Sequence, residues 1–134
     1  MWTRALLALC FVNGGCGNSD HDGSAAPSSQ LSAIQREVFT GSCALSDSCH
    51  RGDSTPSGLN LEAPVHAKLV GVPANSDPSR ILVVAGDPSS SYLYEKISRG
   101  APSLGMPMPP NAQPLSNASI ERIRAWITAG ALDD

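Results

Sequence analysis

Apolar residues recur at helical spacing in widely separated stretches of the chain. Leu31, Ile34 and Val38 stand three and four apart, with Gln35, Arg36 and Glu37 between them. That pattern predicts an amphipathic helix over residues 32–40. Ser29 or Ser32 could cap it, and it leads straight into Cys43. Near the other end, Ile120, Ile123 and Ile127 form one face, and Trp126 widens it. Ser116 or Asn117 would cap this helix and Gly130 would stop it. A third helix is predicted before it. Asp87-Pro88 reads as a cap with proline in the first turn, Tyr92, Leu93, Lys96 and Ile97 follow, and Gly100 ends it.

The segments between are shorter or irregular. Residues 51–58 are a loop rich in Gly, Ser and Pro. Leu59-Asn60-Leu61 alternates and reads as a short extended piece, and residues 63–70 as a helical turn or two with Pro64 at the first position. The apolar run 81–85 is too short to classify by period. Gly105-Met106-Pro107-Met108-Pro109-Pro110 must be an extended loop, because its prolines remove donors and fix φ. The expected fold class is all-α, with three main helices and long loops.

The first 30 residues are of another kind. Arg4 precedes eight apolar residues, 5–12, and then Asn13-Gly14-Gly15-Cys16. This order of basic, apolar and small residues reads as a secretory signal. It is too short to span a bilayer, which takes about 20 residues. Cys16 after two glycines resembles the lipid-modified cysteine of bacterial lipoproteins, with Cys10 as a rival. Residues 18–30 hold no large apolar side chain and read as a flexible tether. The expected organisation is a signal peptide at 1–15, a lipidated Cys16 with a linker at 16–30, and one domain at 31–132.

Charge and composition narrow the chemistry. Net charge is −3 and the basic residues are scattered, which argues against a nucleic-acid partner. Carboxylates form no evident acid–base pair, and neither a phosphate loop nor a Gly-x-Ser-x-Gly sequence is present, so no enzymatic activity is expected. Beyond the signal, the aromatic residues are Phe39, Tyr92, Tyr94 and Trp126. So thin a core calls for a staple. In an oxidising compartment, Cys43 and Cys49 should be joined to each other, to a haem or to a metal. Cys49-His50 with a thiol shortly upstream offers two sulfurs for vinyl groups and an imidazole for iron. A disulfide is the plain alternative. Cys43, Cys49, His50 and His66 also make a nitrogen and sulfur set for zinc. His66 otherwise reads as a surface residue and His21 as linker.

Taken in order, helix, Cys…Cys-His, loop, Asp-Pro-led helix, Met-Pro-Pro loop and final helix resemble the class I cytochrome c-like fold. The chain is most similar to the planctomycete-type cytochrome c-like domains of exported bacterial proteins. The stretches that carry this are Gly58-Leu59-Asn60-Leu61, Gly86-Asp87-Pro88-Ser89-Ser90-Ser91-Tyr92-Leu93, Met108-Pro109-Pro110, Pro114-Leu115-Ser116 and Ile123-Arg124-Ala125-Trp126-Ile127-Thr128-Ala129-Gly130-Ala131. The resemblance implies three main helices around one covalent haem c. Cys43 and Cys49 would attach it, His50 would be its proximal iron ligand and Met108 the distal one, with Met106 the fallback. It implies an electron carrier with a redox partner protein, held on the periplasmic or cell-surface side of a membrane by its lipid anchor. The family spacing is C-x-x-C-H, whereas five residues separate the thiols here, so residues 44–48 must bulge outward. Ser46 and Asp47 favour such a turn. The alternative function is a haem-free, disulfide-stapled interaction module on the same scaffold.

Overall fold

The computed structural model describes residues 28–98 and 100–134. The expected signal at 1–15, Cys16 with its lipidation, Cys10, His21 and most of the linker lie outside the described residues.

Helix α1 (Leu31–Ile34) runs without a break into a π-helical segment, Gln35–Cys43. The apolar pattern located this helix, but not its winding. Bonds of the i→i+5 type bring residues five apart into line, and both Ile34 and Phe39 are fully buried. Neither Ser29 nor Ser32 caps α1. The C-terminal segment does so instead. The Asp134 carboxylate accepts the Leu31 N–H at 2.8 Å, and the Asp134 carbonyl accepts the Ser32 N–H at 2.8 Å. Asp134→Ala should therefore cost about 1 kcal/mol, as the loss of a helix cap does. Urea denaturation followed by circular dichroism reads this directly, and an unchanged midpoint would show the cap to be idle.

The expectation of an all-α domain is overturned. Beyond α2 (His66–Leu69), strands β1 (Pro73–Ala74) and β2 (Asp77–Ile81) form a two-stranded antiparallel sheet. Its register jumps, with Ala74 opposite Asp77 and Pro73 opposite Ile81. The extra residues are held as a bulge by Asp77, whose carboxylate accepts both the N–H and the hydroxyl of Ser79, at 3.1 and 2.6 Å. Asp77-Pro78-Ser79-Arg80-Ile81 has no two-residue alternation, so its sequence carries no strand signal. The apolar run after it is extended too. Leu82 N–H bonds to the Val72 carbonyl at 2.8 Å and Val83 N–H to that of Leu69 at 3.1 Å, while Val70 and Val83 form an isolated parallel bridge. The fold is mixed: short helices with one small sheet.

Helix α3 (Tyr92–Ile97) begins later than its cap signal implied. Asp87 does not cap it. Its carboxylate accepts the Ser89 hydroxyl at 2.5 Å and the Ser90 hydroxyl and N–H at 2.6 and 3.1 Å, organising a separate turn. The two serine hydroxyls pull the Asp87 carboxyl down to about 2. Helix α4 (Asn117–Thr128) is the element read most faithfully. Ser116 Oγ accepts the Ser119 N–H at 3.1 Å, and Ile120, Ile123, Trp126 and Ile127 are all buried. The chain leaves α4 through Gly130, at φ 106°, a left-handed turn that a side chain would strain. Helices α1 and α3 both pack on α4. Arg122 ties α4 to the first segment through Glu37 at 2.8 Å. Arg36, and after it Arg122, hold the Glu37 carboxyl below its usual range.

Candidate functional site

Cys43 closes the π-helical segment, and its chain neighbours fold back on it. His50 N–H donates to the Cys43 carbonyl at 3.1 Å, and Cys49 N–H to that of Ser46 at 2.9 Å. Residues 44–48 thus form a turn between the two thiols, with Leu45 exposed on it. Ser46 Oγ donates to Cys49 Sγ at 3.4 Å. Both cysteines are half-buried free thiols. Burial, and secondarily the neighbouring Cys49, push the Cys43 thiol up to about 11, so it is protonated at neutral pH.

The His50 ring is fixed by a group that its sequence neighbours do not advertise. Nδ1 lies 2.9 Å from the carbonyl oxygen of Leu59. A carbonyl can only accept, so Nδ1 carries the proton, which in the neutral ring leaves Nε2 with its lone pair. The His50 carbonyl in turn accepts the Leu61 N–H at 2.8 Å. The short extended piece at 59–61 therefore holds both the backbone and the ring of His50. The sequence marked this piece as extended but gave no sign that its carbonyl orients an imidazole.

Two adjoining cavities, of about 590 and 210 Å³, share Cys43, His50, Ile97 and Met108 on their walls. Cys49 lines the smaller one. The larger lies in the size range of cofactor pockets, about 300–1,000 Å³, and Leu61, Leu82, Leu93 and Ile97 contribute to its apolar wall. Met108 is half-buried against the core, and its N–H donates to the Lys96 carbonyl at 2.7 Å. Met106 lines only the larger cavity and is 56% exposed. The structure thus sets apart the two methionines, of which the resemblance put Met108 first and Met106 second.

His66 belongs elsewhere. Its Nε2 donates to the Ala131 carbonyl at 2.9 Å, and it is half-buried rather than on the surface. Among the described residues no three His, Cys, Asp or Glu side chains gather as a metal site. The zinc set of Cys43, Cys49, His50 and His66 is therefore not assembled. Iron held by one imidazole and one thioether within a porphyrin needs no such cluster. The donors that do share these walls fit haem: two thiols, an imidazole with a bare Nε2, and a thioether around an apolar space.

Helix, thiols, imidazole and methionine loop follow one another in the order of a cytochrome c-like domain. Residues 48–111 match the family model described as Planctomycete cytochrome C. That match supports a planctomycete-type cytochrome c-like domain in this chain. The matched stretch holds Cys49, His50, Met106 and Met108, while Cys43 lies just before it. No curated protein and no solved structure matches the chain.

Proposed function

We propose that the chain is a mono-haem c-type electron carrier and not an enzyme, exported and lipid-anchored through Cys16. The observation that carries this reading is the His50 ring. Its Nδ1–H is committed to the Leu59 carbonyl, and the ring forms part of a wall shared with Cys43 and Met108. Such a bond to the second ring nitrogen fixes the tautomer and raises the basicity of the ligating one. Cys43 and Cys49 would hold the group covalently, and His50 and Met108 would supply its iron ligands. A haem ligated in this way supplies a one-electron couple with no vacant iron site. The chain's own part is to orient the two ligands, exclude water with Leu82, Leu93 and Ile97, and leave one edge for a redox partner protein.

The test is maturation in a host carrying the cytochrome c assembly system. A Soret band and a mass increase of one covalent haem are expected. Colourless protein with Cys43 bonded to Cys49 would favour the haem-free interaction module instead. Location is tested separately by lipid labelling, which Cys16→Ser should abolish. On matured protein, Met108→Ala is expected to remove the sulfur-to-iron absorption band and to lower the reduction potential. Met106→Ala should leave both unchanged, and the reverse pattern would reassign the distal ligand.

A further inference from the structure

The cations of this domain divide into two groups. Among the described residues, Arg36, Arg51, Arg80, Arg122 and Arg124 each pair with a carboxylate. Lys68 and Lys96 do not. Lys68 Nζ donates to the Glu62 carbonyl oxygen at 2.8 Å, and Lys96 Nζ to that of Leu104 at 3.1 Å. Both acceptors are neutral. The acids nearest each lysine along the chain are engaged elsewhere. The Glu62 carboxylate accepts the Gly52 N–H at 3.0 Å, and the Glu95 carboxylate is taken by Arg80 and the Ser103 N–H.

Both lysines line the larger cavity, and among the described residues no Asp or Glu does. A chain of net charge −3 therefore places two ammonium groups without carboxylate partners around one largely apolar cavity. Each lysine is half-buried, with its stem free to cover apolar surface while the charged end stays polar. Lys96 Nζ also lies 5.7 Å from the Tyr92 ring centroid, whose hydroxyl shares the Leu104 carbonyl. Such a cavity suits a ligand with an apolar body and two acidic groups, because carboxylates beside apolar walls need charged partners.

We propose that Lys68 and Lys96 receive the two propionate carboxylates of haem. The proposal rests on the haem reading above. Reduction lowers the positive charge on the iron, so nearby cations favour the reduced form. Removing them also leaves the carboxylates uncompensated, which favours the oxidised form further.

The experiment uses full-length chain matured with haem. In Lys68→Gln/Lys96→Gln, covalent haem is expected by mass, and the equilibrium constant for reduction should fall about tenfold, or about 59 mV for one electron. Each single variant should lose about threefold. The propionate bending bands of the resonance Raman spectrum should shift, and arginine at both positions should restore them and the potential. Haem attached to the double variant, with potential and bands like those of the unsubstituted chain, would overturn the proposal and leave the haem reading standing. If the double variant does not mature, the single variants decide by the same two readouts. Unsubstituted chain that takes up no haem would overturn both readings at once.

Discussion

His50→Ala, matured with haem, is expected to lose the low-spin six-coordinate spectrum and most of its bound colour. No second imidazole is at hand to replace that of His50. Among the described residues the other histidine is His66, and its ring nitrogen is held at the Ala131 carbonyl. The substitution also strips the Leu59 carbonyl of its donor, a loss of about 1 kcal/mol for a partly solvated group. The effect on stability should thus be small beside the effect on the spectrum. That contrast separates the two functional readings. A haem-free, disulfide-stapled module would tolerate His50→Ala and suffer from Cys49→Ser. An unaltered absorption spectrum in His50→Ala would remove His50 from the ligand set.

Trp126→Ala is expected to be the most damaging substitution away from the site. The indole is 2% exposed on α4, the helix against which both α1 and α3 pack. Its Nε1–H donates to the Leu132 carbonyl at 2.8 Å, fastening the C-terminal segment whose last residue caps α1. Truncating a buried tryptophan costs about 3–5 kcal/mol, against a total of about 5–15 kcal/mol for a domain. Thermal midpoints should fall by more than about 10 °C. The loss also reaches the cavity, because α3 contributes Tyr92, Leu93, Lys96 and Ile97 to its wall. Denaturant titration of the variant measures this, and a loss below about 1 kcal/mol would show that the site is filled by relaxation of its neighbours.

The final helix was legible because its information is local. Ile120, Ile123, Trp126 and Ile127 repeat at helical spacing, and Ser116 precedes them. All four are buried and the serine caps. Spacing alone could not distinguish α from π winding after Ile34, because that choice lies in which carbonyl each N–H reaches. The small sheet was hidden for a similar reason. Its bulge depends on Asp77 turning back to Ser79, and its partner strand opens with a proline. Asp87-Pro88 reads as a helix cap, but the serines that follow take up its carboxylate in a separate turn, and α3 begins only at Tyr92.

By itself, the sequence determined which candidate donors are present and the order of the helices, because residue type and periodicity are written along the chain. Cys43, Cys49, His50, Met106 and Met108 could be named without a structure. Only the tertiary structure decided which of them meet. It set Met108 rather than Met106 against the core, directed His66 to the Ala131 carbonyl, and gave the His50 ring its orienting partner in Leu59. It also left two lysines without carboxylate partners around the same cavity. These relations join residues far apart in the chain, and no local pattern encodes them. They follow from how the helices and the small sheet close around one apolar space.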